Sequence, residues 1–420
     1  MGKRTGMAMV ANQLGEVVVD AFEFSLDRPG VVDLLDRVTA AEESADAVVV
    51  RFGVESAGHY HRTLVRHSEP RASRWWSCIR LRFIGLVGMG QLRLKSDLRD
   101  LAAMVEVMAR GAGRESRWED GPMAVQAVWS AHRRRKVRAR VVLQVQLLAQ
   151  LDLVFAGLGD CFKDVLTAKS GHGVLRYCPD PPRVARMGPE GLRALMKTKG
   201  IRLARPKAAL IVATAERALL LPDAERKARR RALQADLVVY DKIRAEITRA
   251  ETELAAVIDD TPAGVLTSLP GVGVARASAY GAALGDPWKF SSEASAWRYS
   301  GLVPVEYESA GTRRPGMRIS REGSVTLRET ILEIGKGLSD HHPEFKAYKR
   351  SKIAQGKKKT IASVAVAHRA HRLAFAMMRS QTPFDPDRWD HSVAGGPVTA
   401  AERSRHDVTR PPPATITSPS

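Results

Sequence analysis

Four apolar side chains seven residues apart constrain this chain more than any other feature. Leu233, Tyr240, Ile247 and Leu254 recur on a heptad between residues 222 and 260, and Ile243, Ala250 and Val257 fall three positions after the last three of them. Such a spacing returns to one side of an α-helix and forms an a/d seam. Over about three heptads the seam predicts a coiled-coil arm, with a helix packed inside its own domain as the plainer alternative. Asp259-Asp260-Thr261-Pro262 marks its end, because proline cannot continue a helix.

The arm divides a chain of 420 residues, enough for two or three domains with their own cores. Ahead of it, residues 8 to 24 alternate apolar and polar around a glycine and read as a hairpin. Val31 to Ala41 reads as helix, Ala47 to Phe52 as a short apolar strand, and His59 to His67 as the start of a helix. Residues 71 to 90, with Trp75-Trp76 among scattered arginines, show neither period, and Ser96 to Arg110 resumes a helix. Residues 132 to 140 hold six basic side chains and lead into an apolar helix. The helix after Lys359 is mostly core, so His368 and His371 in it read as packing or surface residues rather than ligands. The Pro/Ser/Thr-rich end after Ser380 lacks a core pattern and reads as a disordered tail.

Charge narrows the partners. Lys and Arg number 66 against 46 Asp and Glu, a formal +20, which fits a polyanion, nucleic acid before anionic membrane. No apolar run reaches bilayer length and no signal-peptide pattern opens the chain, so an intracellular protein is expected. Cys78, Cys161 and Cys178 have no metal-ligand spacing and read as buried apolar fillers.

Three constellations carry chemistry. In Leu269-Pro-Gly-Val-Gly273, Gly271 and Gly273 permit a tight turn whose backbone N–H groups, with the helix that follows, would receive a phosphate; a plain loop before a helix reads the same. Ser309 precedes a small-residue turn and the arginines Arg313, Arg314, Arg318 and Arg321. A serine nucleophile needs its negative charge and that of the attacked phosphate stabilised, and arginine's planar fork binds phosphate oxygens in pairs. A solvated basic loop is the alternative. Glu55 lies at a strand end, and Asp97 and Asp100 share one helix face, an oxygen donor set suited to hard divalent cations; carboxylates that only cap and solvate would look alike. The basic runs 133–140, with Arg133, Arg134, Arg135 and Lys136, and 357–359 suit nucleic-acid phosphates or a solvated face.

Four motifs in order are far more specific than any one of them. Gly53–Tyr60 (GVESAGHY), Leu94–Ala102 (LKSDLRDLA), Leu269–Gly273 (LPGVG) and Ser300–Gly323 together resemble the bacterial insertion-sequence transposases of family 110 over roughly residues 1 to 380. That family comprises serine recombinases guided by a bridge RNA, with a RuvC-like DEDD domain. The resemblance implies an α/β plus α fold. An RNase H-like domain (1–130) would precede a helical linker and coiled-coil arm (131–260), a mainly α-helical serine transposase domain with a helix-hairpin-helix-like element (261–380) and a tail (381–420). It implies Mg²⁺ or Mn²⁺ at Glu55, Asp97 and Asp100, and a covalent phosphoserine link at Ser309. It further implies DNA and a structured guide RNA as partners, a homo-oligomer (dimer or tetramer) and a bacterial cytoplasmic location without membrane contact. Two departures stand against the family pattern. Met1-Gly2-Lys3 opens the chain where the family's first aspartate belongs, so the true start lies upstream or the copy is truncated. The Trp/Arg-rich 71–90 segment replaces an apolar strand and looks like a local frame shift. Both predict an impaired copy; the alternatives are a RuvC-like metal-dependent nuclease and a catalytically dead nucleic-acid-binding remnant.

Overall fold

The computed structural model describes residues 4–46, 52–55, 61, 63–65, 75–78, 97–110, 114–115, 120–305, 308–309, 312–313 and 318–386. Of residues 55, 75–78, 97, 99, 114–115, 308–309 and 312–313 it describes the backbone only. The sequence expectations for 47–51, for 79–96 and for the tail beyond 386 lie outside these residues. The chain is mostly helical and divides into two compact units, Met1–Trp118 and Glu119–Ser420.

In the first unit, β1 (Thr5–Ala11) and β2 (Val17–Ser25) form the expected antiparallel hairpin. Asn12 closes its turn by accepting from Leu14 N and Glu16 N at 2.9 and 3.0 Å. In α1 (Arg28–Ala45) the positions Val31, Leu34, Leu35, Val38 and Ala41 are buried, one stripe at helical spacing. Phe24, Val54, Leu64 and Val65 share that core. β3 (Phe52–Glu55) runs parallel to β4 (Trp75–Cys78), which pairs antiparallel with β5 (Arg114–Glu115). The segment read as lacking any period therefore supplies a strand. Its aromatic pair suits a pleated strand, and four residues are too few to display alternation. α2 (Asp97–Ala109) lies on β3, with Met108 packed where Gly53 lacks a side chain.

The second unit is built on two long helices, α3 (Gly121–Val154, 34 residues) and α7 (Asp223–Val257, 35 residues). They run antiparallel: Gln126 reaches Thr261 at 3.0 Å, Arg133 reaches Glu251 at 2.7 Å, and Leu147 and Leu151 share a core with Leu233 and Tyr240. All four heptad positions of α7 are buried, and α3 of the same chain fills the seam. The helix packed in its own domain accounts for the pattern. The 132–140 basic run and the apolar run after it are one continuous helix, α3.

Between the long helices, α4 (Lys169–Tyr177), α5 (Pro181–Thr198) and α6 (Arg205–Arg217) close over Val174, Leu175, Leu192, Met196 and Ile211. Cys161 and Cys178 are free thiols buried in this core, as expected of apolar fillers. Burial raises the Cys178 thiol pKa, which keeps it protonated and unreactive.

A second core joins α8 (Val274–Leu284), α9 (Glu293–Tyr299), α10 (Val325–His341), α11 (Pro343–Ala354) and α12 (Lys359–Ser380) around Leu266, Tyr280, Ile331, Leu338 and Phe375. Gly335 of α10 meets the backbone of Ala367 on α12, and farther along both His342 meets Phe384, so α10 and α12 run parallel. α11 returns between them, its Tyr348 ring under the Arg369 guanidinium. Among the described residues no helix is long and apolar enough to cross a membrane.

Candidate active site

The two glycines of the Leu269–Gly273 turn have different tasks. Gly271 adopts φ +76, and a Cβ there would strike Gly337 O and the His341 ring, so it allows the turn to lie on α10. Arg276 fixes the turn by donating to Gly271 O at 2.6 Å while facing Glu333 at 3.6 Å. Gly273 is the N-cap of α8, exposed, with open space where a side chain would stand. The 3₁₀ turn Gly264–Ser268 precedes this loop and α8 follows it.

Under α8 lies a buried polar chain. His371 Nε2 donates to Glu293 O at 3.0 Å, since a carbonyl only accepts. His371 Nδ1 must then accept, and Tyr280 donates its hydroxyl to it at 2.8 Å. Desolvation lowers the His371 pKa to about 4 and raises that of Tyr280, so both stay neutral. His368 packs at a tilt against Trp297 with ring centroids 4.5 Å apart, and burial lowers its pKa. Both histidines thus pack, as their sequence setting suggested.

Ser309 ends β6 (Glu308–Ser309), which pairs with β7 (Thr312–Arg313). Ser309 stands opposite Thr312, so Ala310-Gly311 joins the strands and the serine sits at the turn end of a hairpin. The base of the excursion is held firmly. Val305 N donates to Arg318 O at 2.9 Å and Ser320 N to Val303 O at 2.8 Å. Arg328 Nη1 donates to Ser300 O at 3.0 Å, and Ser324 N to Tyr299 O at 2.8 Å. Gly301 (φ +69) and Gly323 (φ +123) make the turns between them.

Arg318 and Arg321 are exposed at this base, Arg313 lies on β7 by its backbone, and Arg314 lies outside the described residues. Arg321 has φ +57. The other non-glycine residues with positive φ among those described, Asp46 and Gln381, end helices. A left-handed arginine costs roughly 1–2 kcal/mol, and its N–H is tied to Gly301 O at 3.1 Å. Local strain is thus held next to the serine's hairpin.

The α3 basic run is partly engaged within the chain. Arg133 pairs with Glu251, Arg134 donates to Thr326 Oγ1, and Arg138 binds both carboxylate oxygens of Glu329 at 3.0 and 3.1 Å. These arginines clamp α3 to α7 and α10. Arg135 is exposed and Lys136 half-buried.

The acidic set lies in the first unit and Ser309 in the second. Glu55 is the last residue of β3, and Asp97 and Asp100 occupy the first turn of α2, three residues apart on one face. The side chains of Glu55 and Asp97 are outside the description, and Asp100 is half-buried. Among the described residues no three His, Cys, Asp or Glu side chains converge on a metal position. An all-oxygen donor set on a strand end and an adjoining helix fits magnesium or manganese by chemistry.

Comparison with known proteins bears on the serine's surroundings. Residues 263–350 match the model of the Transposase IS116/IS110/IS902 family, a span from the Leu269–Gly273 turn through the Ser309 hairpin to α11. That segment is therefore similar to the corresponding part of this transposase family. A 43.6 kDa protein of insertion element IS110 from Streptomyces coelicolor is 30% identical over 136 residues, 32% of this chain and 33% of that protein. A probable family 20 transposase of Pseudomonas aeruginosa is 30% identical over 149 residues, 34% and 44% of the two chains. The pilin gene-inverting protein of Moraxella bovis is 25% identical over 145 residues, 33% and 45% of the two chains. The matches thus span from a third to under half of these relatives.

Proposed function

We propose that the chain is a DNA transposase or recombinase of this insertion-sequence family, using Ser309 as the nucleophile. The observation carrying the proposal is that the transposase match at 263–350 contains the whole Ser309 hairpin and its anchored base. A relative named for inverting a pilin gene supports rejoining as well as cutting.

In the proposed reaction Ser309 Oγ attacks a strand phosphorus and gives up its proton to a base. One P–O bond forms, one breaks, and the departing deoxyribose oxygen takes a proton. A phosphodiester is exchanged for a phosphodiester, so a strand hydroxyl can reverse the step without ATP. Arg313, Arg314, Arg318 and Arg321 would bind the phosphate oxygens as charge develops. Glu55, Asp97 and Asp100 would hold Mg²⁺ or Mn²⁺, which supplies Lewis-acid charge stabilisation when bound. An RNase H-like first unit, a structured guide RNA and a homo-oligomer that unites acids and serine belong to the same reading.

The test is a denaturing gel after incubation with element-end DNA. A protein–DNA adduct that disappears in Ser309→Ala supports the reading. Cleavage that persists in Ser309→Ala without any adduct would replace it with a metal-dependent nuclease.

A further inference from the structure

The α11–α12 turn carries a charge cluster that, apart from Arg350 at the last matched position, lies beyond the transposase match. Between Arg350 and Lys359 the sequence holds Arg350, Lys352, Lys357, Lys358 and Lys359 and no acidic residue. Gly356, at φ +80, turns the chain there. Arg350 and the three consecutive lysines are exposed. Among the described residues none of the five has a carboxylate partner. Lys352 donates only to Gln355, at 3.2 Å.

The contrast with α7 is informative. There Lys227 and Arg229 are paired with Asp223 and Glu225 one turn away, and Arg226 with Asp223 and Asp180. Like charges crowded without acids repel one another, and Lys358 and Lys359 also oppose the partial positive charge at the start of α12. A polyanion relieves both costs at once.

Placement identifies the polyanion. α10 and α12 run parallel through the Gly335–Ala367 contact. At ~1.5 Å per residue, Val325 and Lys359 lie about 15 and 12 Å from that contact toward the same end. Val325 follows the base of the Ser309 hairpin. The two acids of α10 nearest this end are already neutralised, Glu329 by Arg138 and Glu333 by Arg276. We propose that the α11–α12 turn, through Arg350, Lys357, Lys358 and Lys359, binds the phosphate backbone of duplex DNA flanking the phosphodiester presented to Ser309. The duplex binding stands by itself, while the flanking geometry rests on the function proposed above.

The full-length protein is titrated with a labelled random-sequence DNA duplex across a salt series. Each lost phosphate contact lowers the slope of log K against log salt by ~0.9. Lys357→Gln/Lys358→Gln/Lys359→Gln is expected to lower it by about 2–3 and to weaken binding roughly tenfold or more near physiological salt. The ion-paired control Lys227→Gln/Lys336→Gln is expected to stay near wild type. An unchanged slope and affinity in the triple variant overturns the proposal, as does a loss confined to single-stranded RNA. Lysine-reactive labelling of wild-type protein gives a second readout independent of any variant: duplex should shield residues 357–359 and leave Lys227 reactive, and equal labelling overturns it. Wild-type protein that binds through these lysines yet forms no Ser309-dependent adduct would remove the serine reading and leave the duplex contact standing.

Discussion

At the scale of single residues, His371 links the fold to pH. Its folded pKa of about 4 lies below the unfolded value near 6.5. Above pH 6.5 both states are neutral there. As pH falls from 6.5 toward 4, the unfolded chain gains a proton that the folded chain refuses, and stability drops by about 3 kcal/mol from this site alone. Chemical denaturation at pH 7.0, 5.5 and 4.5 should show this drop for the wild type and a shallower one for His371→Gln, from a lower starting point. At Gly271 an added methyl meets both a positive φ and the α10 backbone. Gly271→Ala should cost at least ~1–2 kcal/mol in the same assay, while Gly273→Ala, facing open space, should cost far less. The double-glycine motif displayed the turn; which glycine the packing requires depends on α10, some sixty residues later.

Elements show where sequence periodicity succeeds and where it stops. The heptad on α7 was legible because Leu233, Tyr240, Ile247 and Leu254 lie on one stripe, and all four are buried. Its partner was not, because α3 mixes valines and leucines with a dense arginine run and shows no single apolar face. Helices α4, α5 and α6 were not read from the sequence; in α5 the apolar stripe is broken by the kink at Gly188, which resets its register. The α3 arginines suited phosphate contacts or a solvated face equally, yet Arg133 and Arg138 have acidic partners over a hundred residues away in the chain. Arg133→Ala should cost about 0.5–1 kcal/mol and leave the salt slope of DNA binding unchanged. Exposed Arg135→Ala should do the reverse. Leu254→Ala, removing a fully buried seam residue, should cost ~2–5 kcal/mol by thermal or chemical unfolding.

For the molecule as a whole, the +20 charge predicts nucleic-acid binding that weakens steeply with added salt. Two of the four motifs, Leu269–Gly273 and Ser300–Gly323, fall inside the 263–350 span that matches the family model. The candidate residues were all legible as motifs, but they fall in separate units, Glu55, Asp97 and Asp100 in one and Ser309 in the other. The most direct measurement is the covalent adduct. Wild-type protein with Mg²⁺ and element-end DNA, supplied with transcript from the flanking element, should yield a DNA-linked peptide, in the reduced amount that the two departures from the family pattern predict. Mass spectrometry should place the phosphodiester on Ser309, and Ser309→Ala should yield none. A DNA-linked peptide lacking Ser309, or strand exchange undiminished in Ser309→Ala, would contradict the account.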